Sequence, residues 1–159
     1  MFGFLKKNKD NNLYAPVTGE MIEIENVPDQ MFAEKMMGDG VGFKFDGNTV
    51  YSPCDGEITM IANTLHAVGI KAANGAEILI HIGLDTVQLN GQGFKVITKA
   101  GSKVKKGTPI IEVDQEFMKK NNINLTTPMV ITNSDEFSYD IKMDSSNVVS
   151  GDTMIVEFK

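Results

Sequence analysis

Two histidines are the only residues of their type in the chain, and they lie fifteen positions apart in a glycine-rich stretch. His66 and His81 both stand among apolar residues. Histidine titrates near neutral pH, and its imidazole can act as a nucleophile, a general base or a metal ligand. Histidines with apolar neighbours are also typical of satisfied core positions. The residues alone therefore leave two interpretations open, a core pair and a reactive pair.

The composition excludes several classes of protein. The 159 residues carry a net charge of −6 and contain no arginine, whereas a nucleic-acid-binding surface needs a basic face. No apolar run approaches the roughly 20 residues of a membrane-spanning helix, and the chain turns polar too soon after its start for a secretory signal. The single cysteine cannot form an internal disulfide. We therefore expect a cytoplasmic, monomeric protein that does not bind nucleic acid.

Turn signals recur roughly every eight to twelve residues, and short runs rich in valine, isoleucine and phenylalanine lie between them. Short strands at such regular spacing are typical of sandwiches and barrels. Only residues 115–121 combine helical spacing with an acidic start. The pattern predicts an all-β fold with little helix, in the form of an antiparallel β-sandwich or barrel.

Two short sequences each occur twice, which indicates an internal duplication. The copies are PVTGEM at 16–21 with PCDGEI at 53–58, and VKKG at 104–107 with VVSG at 148–151. Each copy places a strand beside a tight glycine turn. No linker composition separates the copies, so we predict two related motifs within one domain over residues 13–159.

The turn between the two histidine segments predicts how they pair. Asn74-Gly75 between two apolar runs is a strong signal for a two-residue type I′ hairpin. Counting back from that turn places His81 opposite Val68, with His66 two residues further along the partner strand. Diagonal neighbours of this kind are about 7–8 Å apart. The two imidazoles are therefore predicted to converge.

The first twelve residues differ from the rest of the chain. Their composition predicts a flexible tail over residues 1–12. A second interpretation is that residues 1–9 form a weak amphipathic tether on an anionic membrane surface, because Phe2, Phe4 and Leu5 are followed by three lysines.

The sequence around the histidines contains a longer and more specific pattern than the turns and the repeats. It comprises HAVGIK at 66–71 and GAEILIHIGLDTVQLNGQGF at 75–94, accompanied by APVTGE at 15–20, VPDQMFAEK at 27–35 and LTTPMVITN at 125–133. These stretches resemble, in order and over about residues 13–159, the glucose-type enzyme IIA of the bacterial phosphoenolpyruvate-dependent sugar phosphotransferase system. The resemblance implies an antiparallel β-sandwich of two related motifs, in agreement with the turn spacing and the duplication.

The resemblance also implies a function, that of a phosphocarrier acting through a phosphohistidine. His81 would accept a phosphoryl group from phosphorylated HPr. It would pass the group to a cysteine on the IIB domain of a glucose-type sugar permease, so that sugar uptake is driven together with phosphorylation. His66 would stabilise the phosphoryl group, and Thr64 would orient His66. The backbone carbonyl of Gly83 would accept a hydrogen bond from the other ring nitrogen of His81.

Apolar and acidic residues near His81 are predicted to form the docking surface for both partners. Methionine-rich surface adapts to more than one partner. Acidic side chains can meet a partner's cation, which suits a chain that has no arginine of its own. The predicted docking surface consists of Asp29, Met31, Phe32, Met36, Met37, Leu79, Asp85 and Val87.

Two other classes of function stay open. A zinc hydrolase could use His66, His81 and Asp85 as three ligands and a water as the fourth, although the His-x-His pair of zinc peptidases with a related β motif is absent. A purely regulatory protein, whose phosphorylation state controls other proteins, would use the same surface as the carrier. We expect no cofactor; the resemblance leaves room only for zinc bridging His66 and His81 with a partner's ligand.

Overall fold

A computed structural model describes residues 10–159, and the predicted membrane tether, residues 1–9, lies outside them. In the described residues the α-helices are α1 (Gln30–Ala33) and α2 (Gln115–Lys120), and the 3₁₀ segments are Ile24–Asn26, Thr86–Leu89 and Ser134–Glu136. The strands are β1 (Leu13–Tyr14), β2 (Gly19–Glu23), β3 (Asp39–Phe45), β4 (Thr49–Tyr51), β5 (Gly56–Ile61), β6 (Ala67–Ala72), β7 (Glu77–His81), β8 (Phe94–Val96), β9 (Lys103–Val104), β10 (Pro109–Val113), β11 (Thr126–Ile131), β12 (Tyr139–Ile141), β13 (Asn147–Val148) and β14 (Met154–Phe158). No helix in this part of the chain is long and apolar enough to cross a membrane.

The strand pairings are antiparallel, which confirms the predicted fold class. The largest sheet has eight strands in the order β13-β2-β3-β11-β7-β6-β5-β9, and two smaller sheets have the orders β1-β14-β12 and β4-β10-β8. The predicted helix is present as α2, where the Asp114 side chain accepts a hydrogen bond from Phe117 N at 3.1 Å and so caps the first turn. α1 has no counterpart among the predicted elements.

The main core lies between the eight-stranded sheet and the two smaller sheets. Ile78 and Ile80 of β7 and Ile110 and Ile111 of β10 are all buried in it. Because side chains alternate along a strand, Leu79 lies on the opposite face of the large sheet. We call the face that carries Leu79 the outer face.

A second, smaller apolar cluster covers part of the outer face. Its residues come from the 3₁₀ segment before α1, from α1 and from the large sheet and the loop after β7. The buried members of this outer cluster are Ile24, Val27, Phe32, Leu84 and Val130. The outer cluster anchors residues 24–32 beside the end of β7.

The predicted duplication is visible in the pairing of the large sheet. Gly19, at the start of β2, pairs with Val148 of β13. Gly56, at the start of β5, pairs with Val104 of β9. These residues belong to the two repeated sequences, so each repeat forms the same local pair of strands at opposite ends of the sheet.

The two copies also exchange equivalent backbone hydrogen bonds. Tyr14 N donates to Pro53 O at 2.8 Å, and Tyr51 N donates to Pro16 O at 2.7 Å. Each bond joins one copy of the Pro-x-x-Gly sequence to the residues that precede the other copy. The exchange joins the two motifs to each other through their backbones.

The end of the predicted tail contacts this domain. Asn12 is half-buried, and its Oδ1 accepts a hydrogen bond from Phe158 N at 3.0 Å. The Tyr14 hydroxyl donates to Asp10. Contacts with the domain thus reach residue 10, and the flexible tail stays a prediction for residues 1–9.

The hairpin between β6 and β7 differs from the prediction by one residue. Ala72 N donates to Ala76 O at 2.8 Å, so the loop has three residues rather than two. Gly75 has φ 92°, whereas Asn74 has no positive φ, and a type I′ turn requires a positive φ at both positions. The predicted register is therefore wrong, and His81 pairs with Ala67.

The close approach of Gly56, one of the repeated glycines, to the neighbouring strand can be tested by substitution. A Cβ on Gly56 would overlap the backbone carbonyl of Lys71 on the neighbouring strand. We expect Gly56→Ala to lower the free energy of unfolding by at least about 2 kcal/mol, measured by urea denaturation. Gly47→Ala is the matched control, because its nearest neighbour, a Phe45 ring atom, would be 3.5 Å away. Equal stability losses in both variants would contradict this explanation.

Candidate active site

His81 ends β7, and its imidazole is half-buried on the outer face. The ring nitrogen Nδ1 lies 2.7 Å from the backbone carbonyl oxygen of Gly83. A carbonyl oxygen can only accept a hydrogen bond, so Nδ1 carries the proton of the neutral ring. The second nitrogen, Nε2, is left with an unshared electron pair.

The loop after β7 presents that carbonyl through left-handed backbone conformations. Gly83 has φ 77° and Asp85 has φ 58°. A Cβ on Gly83 would lie 2.6 Å from Cγ2 of Thr86 and 3.1 Å from the Asn124 carbonyl oxygen. This position therefore needs glycine both for its backbone conformation and for space.

His66 reaches His81 from the neighbouring strand by a different route from the predicted one. The His66 carbonyl accepts a hydrogen bond from Ile82 N, and in a regular ladder a residue opposite Ile82 would point away from His81. However, His66 precedes Ala67, the first residue of β6, and follows Leu65, which has φ 63°. Regular alternation does not extend to it. The two ring centroids are 4.9 Å apart at an angle of 77°, so the expected convergence is present.

Thr64 and the surroundings of His66 set its protonation. The Thr64 hydroxyl oxygen lies 2.6 Å from Nδ1 of His66. Burial lowers the pKa of His66 below 6.5 and the neighbouring His81 lowers it further, while a hydrogen bond with the Thr64 backbone acts in the opposite direction. His66 is therefore an uncharged ring at neutral pH. When the Thr64 hydroxyl donates to Nδ1, the ring proton is on Nε2.

Phe32 of α1 packs against the His81 ring. Their ring centroids are 5.2 Å apart, inclined at 58°, which is a favourable aromatic geometry. Phe32 is only 4% exposed and belongs to the outer cluster. The Phe32 ring is thus buried against His81 and the outer cluster, and its role in docking stays a prediction.

The other predicted docking residues lie in and around α1, on β7 and in the segment after β7. The exposed ones are Met31, Met36, Asp85 and Val87, and the half-buried ones are Asp29, Met37 and Leu79. Oδ1 of Asp29 accepts a hydrogen bond from Met31 N at 3.0 Å and caps α1. One carboxylate oxygen of Asp29 is thus occupied within the chain.

The arrangement does not provide the ligand set of the zinc hydrolase alternative. Among residues 10–159, no group of three or more histidine, cysteine, aspartate or glutamate side chains could hold a metal ion. His66, His81 and Asp85 therefore do not form the set that this alternative required.

Two buried threonines next to the site are absent from the sequence predictions. Thr86 and Thr127 are both 0% exposed, and both contact the backbone around Gly83. Each lies within a stretch that carries the family resemblance, but nothing in a single sequence distinguishes a buried threonine from an exposed strand residue.

Known proteins are similar to this chain in sequence. Residues 11–137 match the family model described as phosphoenolpyruvate-dependent sugar phosphotransferase system, EIIA 1. A protein from Staphylococcus epidermidis (strain RP62A), named PTS system glucose-specific EIIA component, is 44% identical over 158 residues, which are 99% of this chain and 95% of that protein. A protein of the same name from Staphylococcus aureus (strain Mu50) is 42% identical with the same coverage.

A solved structure agrees with these relatives. The structure of glucose permease IIA from Mycoplasma capricolum superposes with a TM-score of 0.83 at 33% sequence identity, covering 94% of this chain and 97% of that one. The family model matches most of the chain, and the relatives and the solved structure match nearly all of it. The chain therefore belongs to the EIIA 1 family of the phosphoenolpyruvate-dependent sugar phosphotransferase system.

Proposed function

We propose that this chain is a phosphocarrier whose His81 accepts a phosphoryl group from phosphorylated HPr. His81 then passes the group to a cysteine on the IIB domain of a glucose-type sugar permease, which drives sugar uptake together with phosphorylation. The observation that carries the proposal is the 2.7 Å contact between Nδ1 of His81 and the Gly83 carbonyl. It leaves Nε2 free for attack beside a second imidazole. No specific observation favours the zinc hydrolase or the purely regulatory alternative.

In the first proposed step, Nε2 of His81 attacks the phosphorus atom in line with the donor's P–N bond. The new P–N bond forms as the old one breaks, and the electron pair of the broken bond stays on the histidine ring of HPr. In the second step, the thiolate of the IIB cysteine attacks the same phosphorus. The P–S bond forms, and the electron pair of the P–N bond returns to Nε2 of His81.

His66 supports both steps in this proposal. Phosphoryl transfer passes through a loose transition state, so catalysis depends on positioning and on stabilising charge at the phosphoryl oxygens. A neutral His66 whose Nδ1 accepts from Thr64 presents an Nε2–H donor next to His81. A donor already aimed at the developing charge contributes without reorganisation.

The docking surface is proposed to meet both partners through apolar contacts and acidic side chains. Met36, Val87 and Met31 are 63%, 50% and 47% exposed; Met31 is next to Phe32 in the chain, and Val87 lies in the 3₁₀ segment that follows the His81 loop. Asp85 is also exposed. Because the chain contains no arginine, a cation that balances the phosphoryl group would come from the partner.

We also propose a cytoplasmic location, a monomeric state and weak membrane association through residues 1–9. The sequence supports the last of these, because three apolar side chains within residues 2–5 are followed by three lysines. Such a segment combines apolar insertion with attraction to anionic lipid.

The phosphocarrier proposal is tested by labelling with phosphorylated HPr. Wild-type protein should take up acid-labile phosphate that mass spectrometry localises to His81, and His81→Ala should take up none. His66→Gln should still be labelled but should transfer to a IIB domain roughly 100-fold more slowly, since it loses one donor to the phosphoryl oxygens. Labelling of His81→Ala, or no labelling of the wild type, would contradict the proposal.

The docking surface is tested by truncating exposed apolar side chains. Met36→Ala and Val87→Ala should each raise KM for phosphorylated HPr about 3- to 10-fold while kcat stays within about 2-fold, as expected for a lost binding contact. Ile97→Ala is the matched control, because Ile97 is 45% exposed but follows β8 in a separate sheet. The same KM change in the control would argue against a localised surface.

The lowered pKa of His66 predicts how stability depends on pH. Well above pH 6.5 the His66 ring is neutral in both the folded and the unfolded chain, and it adds no pH dependence. As the pH falls through 6.5 toward the lower folded-state pKa, the unfolded chain binds the proton first. The free energy of unfolding therefore decreases over this window.

Urea denaturation between about pH 8 and pH 5 measures this effect. The wild type should lose more stability than His66→Gln over the window, because glutamine does not titrate. An identical pH dependence in both proteins, or an NMR titration that places the His66 pKa at or above 6.5, would refute the assignment.

A further inference from the structure

Buried hydroxyl groups are concentrated around the loop that bonds His81. In the described part of the chain, the buried polar side chains are Ser52, Thr86, Thr126 and Thr127. Ser52 lies elsewhere and donates to the Cys54 carbonyl at 2.7 Å. The three threonines all lie on or next to the loop after β7. A buried hydroxyl is retained at little cost only where it is hydrogen-bonded, so the partners of these groups indicate what they hold.

Thr86 contacts the loop at the peptide before Gly83 and beside the Gly83 α-carbon. Its hydroxyl donates to the carbonyl of Ile82, the residue before Gly83, at 2.7 Å. Its methyl carbon Cγ2 lies 2.6 Å from the position that a Cβ on Gly83 would take, so it closes that side of the glycine. The Thr86 side chain thus restrains both the Ile82–Gly83 peptide and the α-carbon of Gly83.

Thr127 holds the same loop from β11. Its hydroxyl donates to the Leu125 carbonyl at 2.8 Å and accepts a longer hydrogen bond, 3.4 Å, from Gly83 N. The Leu84 N–H donates to the Asn124 carbonyl at 2.8 Å. Residues before and at the start of β11 therefore bond the backbone on both sides of the Gly83 carbonyl.

Thr126 keeps the supporting turn in shape. Its backbone N–H and its hydroxyl both donate to Oδ1 of Asn124, at 3.0 and 2.7 Å. The Asn124 carbonyl is in turn the acceptor for Leu84 N. Thr126 thus acts on the turn, whereas Thr86 and Thr127 contact the residues around Gly83 directly.

We infer that Thr86 and Thr127 are positioning residues that hold the Gly83 carbonyl against Nδ1 of His81. In doing so they keep the His81 ring in the tautomer whose Nε2 is unprotonated. The consequence for phosphoryl transfer rests on the proposed function, since only that tautomer can attack through Nε2. Neither threonine contacts the phosphoryl group in this scheme.

The test uses the full chain labelled with ¹⁵N-histidine, in long-range ¹H–¹⁵N spectra that separate protonated from bare ring nitrogens. At about pH 8, wild-type His81 should show protonated Nδ1. Thr86→Val keeps the methyl contact but removes the hydroxyl, so it should show a measurable fraction of the Nε2–H tautomer. Transfer from phosphorylated HPr should slow roughly 10-fold, since a small misplacement of a reacting group is costly.

Conservative variants separate positioning from general stability. Thr86→Ser restores the hydroxyl and should restore the wild-type tautomer. Thr127→Val should shift the tautomer less than Thr86→Val, because its bond to Gly83 N is long, and Thr127→Ser should not shift it. Ser52→Ala is the matched control for loss of a buried hydroxyl and should leave the tautomer unchanged.

The outcomes are decisive in both directions. A wild-type tautomer in both valine variants overturns the inference, even if transfer slows or stability falls. A tautomer shift in Ser52→Ala as large as in the valine variants also overturns it. If Thr86→Val does not fold, the comparison of Thr127→Val with Thr127→Ser tests the inference. The tautomer is read without phosphate, so a wild type that shows protonated Nδ1 but takes up no phosphate would refute the proposed function alone.

Discussion

The hydrogen bond from His81 Nδ1 to the Gly83 carbonyl is the constraint on which the rest of the site depends. A neutral imidazole has one proton and two nitrogens, so fixing the proton on one nitrogen decides which electron pair can react. The acceptor lies only two residues further along the chain. It can face the ring because Gly83 adopts a left-handed conformation that leaves no room for a side chain. The loop therefore determines which nitrogen of His81 carries the proton.

The position of β7 in the sheet explains how such a loop is held. β7 and β11 are the two central strands of the eight-stranded sheet, so each has a neighbour on both sides. His81 ends β7, and β11 begins with Thr126 and Thr127, which lie beside the loop that follows. The duplication places one copy of the repeated strand pair at each end of this sheet. Both motifs thus frame the strands that carry the site.

The outer face of the sheet resolves a conflict between burial and access. An imidazole needs surroundings that restrict its protonation and orientation, but a carrier must expose the same ring to large partners. The outer cluster is small and covers only part of the face, so Phe32 packs against His81 while both histidines stay half-buried. Partial burial and the neighbouring ring lower the pKa of His66 without closing the site.

The sequence alone determined the fold class, the duplication, α2 and the identity of the two histidines. Each of these depends on local periodicity, on repeated turns or, for histidine, on a residue type that occurs only twice. It did not determine the hairpin register, because Asn-Gly suits both a two-residue turn and the three-residue loop that forms. The burial of Phe32 and the contacts of Thr86 and Thr127 were decided only by tertiary structure. Thr127 lies 44 residues from Gly83, and no local pattern specifies a contact that exists only when the two central strands lie side by side.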